Sequence, residues 1–426
     1  MDGVRDEAEN RFVAGIGSGS VTTAPAPRFL FLGFLVPDTD IDRTFAGETH
    51  PQISAIRFQR SLLRALTSAG ATIDAVTTPP IAAYPRNRQW WVARAVFAPA
   101  GLSGKATQVS GPNLPGLRPF VRIFQFVRHG LSALQSPSDG ILVYSVHTPL
   151  VIASLLLKWL RAVPVFVFIP DLPIFMGGPT NPLKRLLKRI DDIIVRRLVA
   201  KTDGAFPITE RIGLDWLVRG PRYFAVEGVS DEVAAALSEA RARGAYVFLG
   251  QTRPRLLYTG ALAQVTRFAR AFHDSTVDAC LVFMGGGEEL RELQRLSAAD
   301  GRIIVKPFTT GAAFDSELQG ASFLLNPRDP GWPGASYSFP SKLFEYLLAG
   351  KPVISTRLAG IPAQYFELFR PVDLVDQRSF EASLERALRA DREPERIWAA
   401  AERLAERLTS VSVGTQLLTR MKDWTT

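Results

Sequence analysis

Cysteine, signal-peptide features and long uncharged segments are scarce or missing in this 426-residue chain. The single cysteine, Cys280, excludes an internal disulfide and fits a reducing compartment. The first ten residues are polar and acidic, so we expect no signal peptide there. Residues 140–157 carry no formal charge, but His147 and Pro149 interrupt them. A strand, a turn and a helix explain this stretch better than a membrane span.

Acidic residues are absent from residues 75–138, and the charge of the chain is uneven. Residues 1–230 contain 26 Lys and Arg against 17 Asp and Glu, whereas residues 231–426 contain 24 of each kind. The net charge of +9 therefore belongs to the N-terminal half. Such a field attracts polyanions, whether nucleic acid, anionic lipid or a phosphate-bearing substrate. Because no RNA-binding module is recognisable, we do not expect a nucleic-acid partner.

The length predicts two domains, and the hydrophobic pattern predicts their class. Continuous apolar segments alternate with amphipathic ones such as 52–69, 149–161 and 182–201, a pattern typical of parallel sheets covered by helices on both faces. The predicted strands cover 28–34, 71–77, 140–146, 163–169, 204–208 and 222–226 in a first series, then 255–260, 280–284, 302–305, 321–325, 352–355 and 372–375. We therefore predict an α/β fold with two Rossmann-like, doubly wound domains that face a central cleft.

We expect four regions along the chain. They are a disordered N-terminal tail over 1–27, a first domain over 28–230, a second domain over 231–378, and helices over 379–426 that pack back toward the first domain.

The stretch "SFPSKLFEYLLAGKPVIST", residues 338–356, predicts a short helix that ends at Gly350. One arc of this helix is apolar, and the other carries Lys342, Glu345 and Tyr346. Backbone N–H groups at its start, together with Lys342, would attract an anion, and Glu345 lies one turn further. A nucleotide needs both features, because its phosphates require donors and its ribose diol a carboxylate. A capped surface helix with a solvated glutamate is the alternative.

Three further segments precede this one: "LLYTGAL" (256–262), "LVFMGGGEELRELQRL" (281–296) and "LLNPRD" (324–329). In this order the four segments resemble the retaining family-4 glycosyltransferases of the GT-B fold, especially those that assemble bacterial exopolysaccharide, O-antigen or capsule. The resemblance is specific over 254–365. Weaker matches are "PDLP" (170–173), "ITE" (208–210) and "VEGVSDE" (226–232).

The resemblance implies that the second domain binds a nucleotide-diphosphate sugar and that the first binds the acceptor. The sugar would pass to a lipid-linked or growing surface glycan with retention of its anomeric configuration. The nucleotide sugar is a co-substrate, and no cofactor or metal is implied, since basic side chains and helix termini stabilise the leaving diphosphate. The implied donor-binding residues are Gly260, Gly285, Gly287, Asn326, Arg328, Tyr337, Ser338, Pro340, Ser341, Lys342 and Glu345.

The sequence departs from the family pattern at four positions. The usual lysine after the first glycine turn has no clear match, although Arg267 and Arg270 are possible substitutes, and Pro170 stands where a histidine is frequent. The other two departures bear on function. Tyr337 stands eight positions before Glu345, where the family commonly has a second carboxylate, and Ala261 replaces the usual arginine after the first glycine turn. These departures favour an alternative, a non-catalytic protein of this fold that binds nucleotide sugar or membrane as a partner. A nucleotide-sugar epimerase of similar fold is a third interpretation.

Residues at the ends of the first-domain strands are the other candidates. Asp171 and His147 each follow a buried strand and are the candidate catalytic residues, although helix capping and a structural role remain open for them. The candidate acceptor-binding residues are Gly33, near the end of the first predicted strand, and His50, in the loop after it. The Asp-rich "PDTDID" (37–42) lacks the Gly and Glu that an EF-hand requires, so we predict no metal site.

Basic and aromatic residues are interleaved over 84–128, and residues 181–201 place Leu and Ile at helical spacing under a basic face. Both segments suit an anionic membrane surface. An ordinary sheet-covering helix is the alternative for 181–201. We expect a cytoplasmic protein that is peripheral on the inner face of the plasma membrane.

Overall fold

The computed structural model describes residues 25–46, 48, 52–99, 101–175, 182–232, 239, 253–340, 342–349, 351–389 and 394–426. These residues form a first lobe (25–232) and a second lobe (253–408), each built around one main sheet. Most of the expected N-terminal tail, and most of 231–252, lie outside the described residues.

The first lobe is built on a sheet with strand order β10-β9-β8-β7-β1-β2-β5-β4. Its strands are β1 (Arg28–Gly33), β2 (Thr72–Thr77), β4 (Ala95–Phe97), β5 (Ala106–Gln108), β7 (Gly140–Tyr144), β8 (Val165–Ile169), β9 (Gly204–Pro207) and β10 (Arg222–Tyr223), and β3 (Trp91–Val92) pairs with β6 (Gly111–Pro112) in a small separate sheet. All pairs of the main sheet are parallel except β4 with β5. Its helices are α1 (Ile41–Phe45), α2 (Ile53–Ser68), α3 (Arg118–Ala133), α4 (Thr148–Arg161), α5 (Pro182–Val199) and α6 (Glu210–Trp216).

The second lobe has an all-parallel sheet with strand order β13-β12-β11-β14-β15-β16. Its strands are β11 (Arg255–Ala261), β12 (Cys280–Gly286), β13 (Ile303–Lys306), β14 (Phe323–Asn326), β15 (Val353–Thr356) and β16 (Phe369–Val372). Its helices are α7 (Thr266–His273), α8 (Leu290–Ala299), α9 (Ala312–Gln319), α10 (Lys342–Leu348), α11 (Gln377–Ala387) and α12 (Pro394–Leu408), and the final helix is α13 (Ser410–Thr425). The predicted class, α/β with two Rossmann-like lobes, is confirmed.

The central strands are apolar on both faces, and this is why the sheets are covered by helices. Every residue of β7 and β8 is buried. Phe31, Phe166 and Phe168 are almost completely shielded from solvent, and each stabilises the fold by about 1.5–3 kcal/mol relative to an exposed side chain.

Two predictions about strands were wrong. The last strand was predicted over 372–375, but β16 lies at Phe369–Val372. Pro371 obscures it in the sequence, and the structure tolerates this proline because β16 is an edge strand. The short strands β3 to β6 were not predicted, because each has only two or three residues and too little alternation to read.

The chain crosses between the lobes near its C-terminus. Ser230 N donates to Leu408 O at 2.8 Å, where α12 of the second lobe ends. Helix α13 then packs on α2 of the first lobe. Leu417 of α13 is fully buried, and the Trp424 ring of the same helix lies 5.1 Å from the Phe206 ring of β9. Within the described ranges, no helix combines the length and apolar character needed to cross a bilayer.

Candidate functional site

The carboxyl ends of β11 and β12 meet in a glycine-rich edge. Gly260 has φ +127°, a conformation that side chains disfavour, and a Cβ there would meet the stem of Lys342. A Cβ at Gly285 would meet the Gly260 carbonyl, and one at Gly287 would meet the backbone of Leu262. The glycines therefore allow close approach of the loops and of Lys342 at this edge.

Helix α10 presents Lys342 and Glu345 beside these glycines. Lys342 Nζ lies 3.6 Å from Glu345 Oε2, and the Glu345 side chain is 59% exposed. Leu343 and Tyr346 anchor the helix in the core, where the Tyr346 hydroxyl accepts from Thr259 N at 3.4 Å. Tyr346 was expected on the polar arc and is instead 2% exposed, because its hydroxyl finds a buried partner. The carboxylate of Glu345 keeps contact with solvent and can accept from a ligand.

Arg328 follows β14 and lies between the lobes. Its Nη1 donates to Ser338 Oγ at 3.3 Å, and its carbonyl accepts from Thr356 Oγ1 at 2.6 Å. Asn326, at the end of the same strand, is buried and donates to Ser355 Oγ at 2.9 Å. The guanidinium can therefore bind a phosphate.

Asp171 lies two residues after β8 in the first lobe, near enough to Arg328 of the second lobe to be affected by its charge. Asp171 is exposed to solvent, although the surrounding protein partly desolvates its carboxylate. This desolvation raises the pKa of Asp171 to about 6, while the positive charge of Arg328 acts to lower the pKa. A carboxylate in this position is ionised at neutral pH and loses its charge in mild acid.

His147 is the N-cap residue of α4, and its ring lies 5.4 Å from that of Phe34 in an edge-on arrangement. Burial lowers the pKa of His147 to about 3, and the charges of Arg122 and Arg118 add to this effect. The imidazole is therefore neutral at physiological pH. Gly33, the other candidate of this region, is buried, and a Cβ there would meet Gln59 Oε1. Gly33 thus has a packing role whatever its part in acceptor binding.

Tyr337 joins the lobes. Its hydroxyl donates to Asp215 Oδ2 of α6 at 2.8 Å, and its ring stacks on that of Phe175 at 5.4 Å. A second contact between the lobes lies nearby. Gly228 of the first lobe packs against the Phe344 ring of the second, which a Cβ at Gly228 would meet. Pro340, between Tyr337 and α10, is buried, and its carbonyl accepts from Leu343 N at 2.9 Å.

The structure brings Gly260, Gly285, Gly287 and Lys342 together and places Arg328 against Ser338. His50 and Ser341 lie outside the described residues. The binding and catalytic roles of all these side chains stay predictions.

Two features of this region were not found in the sequence. Glu289 accepts from Val265 N at 2.8 Å and Thr266 N at 2.9 Å, so it holds the start of α7 next to the glycine edge. Arg118 and Arg122 were expected on a basic surface, but both line a cleft inside the first lobe. Arg122 lies one helical turn before Phe126, which is buried. This spacing was the signal in the sequence that could have placed Arg122 on the inner face of α3.

Comparison with known proteins agrees with this arrangement. Residues 253–389 match the family model described as "Glycosyl transferases group 1", and this range lies within the second lobe. Among curated proteins, none matches this chain.

Solved structures match nearly the whole chain. Sucrose-phosphate synthase from Thermosynechococcus elongatus is 14% identical with a TM-score of 0.57, over 93% of this chain and 98% of that one. Anabaena HepE in complex with UDP is 12% identical with a TM-score of 0.55, over 93% and 100%. The lipopolysaccharide outer core galactosyltransferase WaaB in its apo form is 12% identical with a TM-score of 0.59, over 93% and 99%. At these identities the similarity shows the fold, which is GT-B.

Proposed function

We propose that this chain is a retaining, family-4-like glycosyltransferase. It transfers a hexose from a nucleotide-diphosphate sugar to a lipid-linked or growing surface glycan. The observation that carries the proposal is the meeting of Lys342, Glu345 and the Gly260 turn at the carboxyl edge of the second sheet. The group 1 match over 253–389 covers the same residues, and one solved structure of this fold, Anabaena HepE, is a complex with UDP.

In this proposal the second lobe holds the donor. Glu345 accepts from the ribose hydroxyls, and the glycine edge lies against the nucleotide. When the bond between the anomeric carbon and the phosphate oxygen breaks, its electron pair remains on the diphosphate. Lys342 and Arg328 balance that charge, which is why we propose that no metal is needed.

Asp171 would act on the acceptor side. The acceptor hydroxyl oxygen forms the new glycosidic bond on the face that the diphosphate leaves, and its proton passes to the departing phosphate oxygen. An ionised Asp171 near this centre stabilises the positive charge that develops on the sugar ring. Its position near Arg328 supports this role.

The lipid-linked acceptor is supported by an apolar, basic surface on the first lobe. Most of the apolar face of helix α5 is exposed to solvent, and only Val195 and Val199 of this helix are buried in the core of the first lobe. Trp159 on the neighbouring α4 is 80% exposed. The exposed apolar side chains of α3, α4 and α5 are Phe120, Phe124, Leu156, Trp159, Leu160, Leu183, Leu186, Leu187, Ile190, Ile193 and Ile194. This set, the membrane face, fits an anionic bilayer because α5 is also rich in Lys and Arg.

Calorimetry with a panel of UDP and GDP sugars tests the enzyme. We expect one donor to bind and to be hydrolysed slowly without acceptor. Tight binding with no turnover on any acceptor would instead favour the non-catalytic partner protein, the interpretation that Tyr337 supports by contacting Asp215 across the lobes.

Vesicle co-sedimentation tests the membrane face. We expect binding to phosphatidylglycerol vesicles, weak binding to phosphatidylcholine vesicles, and loss of binding as salt increases. Trp159→Glu should abolish most of the binding. Val375→Glu is the matched control, because Val375 is equally exposed but lies in the second lobe. Equal binding by both variants would refute the membrane face.

A further inference from the structure

Helix α3 directs two arginines toward the carboxyl edge of the first sheet. Arg118 and Arg122 are one helical turn apart, and both line a narrow cleft together with Thr78, Asn113 and Gln125. Thr78 directly follows β2, so the cleft lies where the parallel strands end. Ligands of open α/β sheets bind at this edge.

Both guanidinium groups lack a carboxylate partner among the residues that the structure describes. Arg122 is only 6% exposed, and its Nη2 donates to Pro79 O at a long 3.4 Å. Arg118 Nη1 donates to Ile81 O at 3.0 Å and Asn113 Oδ1 at 3.2 Å. All three acceptors are neutral. The absence of acidic residues over 75–138 explains why the surrounding chain offers no anion.

Glu48 affects the charge of Arg118 without forming an ion pair with it. Its Oε1 accepts from Ala82 N at 2.8 Å and from Asn87 Nδ2 at 2.7 Å. Glu48 raises the pKa of Arg118, but burial has the larger, opposite effect. Burial and the neighbouring Arg118 lower the pKa of Arg122 to about 9. The charge of Arg122 is thus poorly compensated, and burying such a charge is costly.

Other polar atoms around the pair also lack partners. Gln125 Oε1 is buried without a hydrogen bond, and so is Nδ1 of His147, whose ring feels the charges of both arginines. Buried polar atoms are normally hydrogen-bonded, so unsatisfied atoms beside the buried Arg122 and the half-buried Arg118 indicate a missing ligand. Gln125 Oε1 can accept from a hydroxyl of that ligand.

We infer that Arg118 and Arg122 bind a phosphate group carried by the acceptor. The space in the cleft is about 20 Å³, enough for a single water-sized group, so a terminal phosphate oxygen reaches the arginines while the rest of the ligand lies outside the cleft. Only the identification of the ligand as the acceptor rests on the proposed function. The anion site itself stands on the two arginines.

The same helix supplies a matched control. Arg128 is exposed on α3 and carries the same charge, so it reports the general effect of removing a cation. Inorganic phosphate is the probe, and its dissociation constant is measured from the stabilisation of each variant against thermal unfolding. All variants carry Lys342→Gln as well, which removes a cation of the donor site.

Arg122→Gln should weaken phosphate binding at least tenfold, whereas Arg128→Gln should change it less than twofold. Without phosphate, the Arg122→Gln variant should be at least as stable as the protein that carries Lys342→Gln alone, because an uncompensated buried charge is removed. Equal phosphate affinity in the two variants would overturn the inference. If Arg122→Gln fails to fold, Arg118→Gln, at a more exposed position, is measured against the same control.

Two further probes separate the sources of the phosphate. If a hexose monophosphate stabilises the protein with a saturable dependence on its concentration, the ligand is a soluble sugar phosphate. If a short prenyl diphosphate does so, the ligand is a lipid-linked acceptor. In both cases Arg122→Gln should remove the effect. Binding of UDP and GDP is measured separately in the protein with Lys342 intact. If that protein binds neither nucleotide while phosphate binds through Arg122, the proposed function alone is refuted. If it binds UDP but phosphate shows no dependence on Arg122, the anion site alone is refuted.

Discussion

The stem of Lys342 lies over the backbone of Gly260, in the space where any other residue would carry its Cβ. Gly260 also has φ +127°, so its place is restricted by both conformation and contact. The lysine that we assign to the diphosphate is therefore positioned by the absence of a side chain at the end of β11.

Replacing Gly260 by alanine should displace Lys342 and strain the turn. We expect Gly260→Ala to lower the free energy of unfolding by about 1–3 kcal/mol and to weaken UDP binding in the folded fraction. Urea unfolding and calorimetry measure the two effects.

Gly286 provides the control for this experiment. A Cβ at Gly286 meets no atom within 4 Å, although this residue is also in the glycine edge. Gly286→Ala should leave both quantities nearly unchanged. If both alanine variants lose UDP binding to the same extent, the glycine edge as a whole, and not the Lys342 contact, is responsible.

Neutralising Glu345 should weaken nucleotide binding. Its exposed carboxylate would make charged hydrogen bonds to the ribose diol, so we expect Glu345→Gln to cost about 1–3 kcal/mol of UDP affinity. Glu385→Gln is the control, because Glu385 is exposed on α11 of the same lobe. Calorimetry that finds the same affinity for Glu345→Gln and the parent would remove the ribose role.

The sequence predicted the framework of strands well, for physical reasons. Buried parallel strands are apolar without interruption, so β7, β8 and β12 were visible, and glycine-to-helix turns are local signals. Contacts between lobes have no local signal. The Tyr337–Asp215 bond joins residues 122 positions apart, and no pattern in either segment indicates it.

The arginine pair on α3 was hidden for a different reason. Arginines are mostly exposed in proteins, so Arg118 and Arg122 were grouped with the basic surface. Only the fold reveals that Arg122 faces the sheet while Phe120 and Phe124 face solvent. The exposed apolar face of α5 was similarly ambiguous, because amphipathic periodicity does not tell which surface a helix covers.

Breaking the Tyr337–Asp215 hydrogen bond should loosen the lobes. Tyr337→Phe keeps the ring that stacks on Phe175 and removes only the hydroxyl, and Asp215→Asn changes the acceptor. If the two groups act through this bond, each change should lower kcat/KM, and the double variant should be no worse than the poorer single one. Fully additive losses would show that Tyr337 acts elsewhere, for example on the donor sugar.

The pH dependence of transfer should report Asp171. Its pKa of about 6 means that the carboxylate is charged above this pH and neutral below it, so kcat/KM should fall as the pH decreases through about 6. Arg328 acts to lower the pKa of Asp171, so in Arg328→Gln the fall should begin at a higher pH, while Asp171→Asn should have low activity without this limb. His147 cannot produce the same limb, because its pKa is about 3. A limb near pH 6 that survives in Asp171→Asn would show that another group titrates, and would leave Asp171 without a role in catalysis.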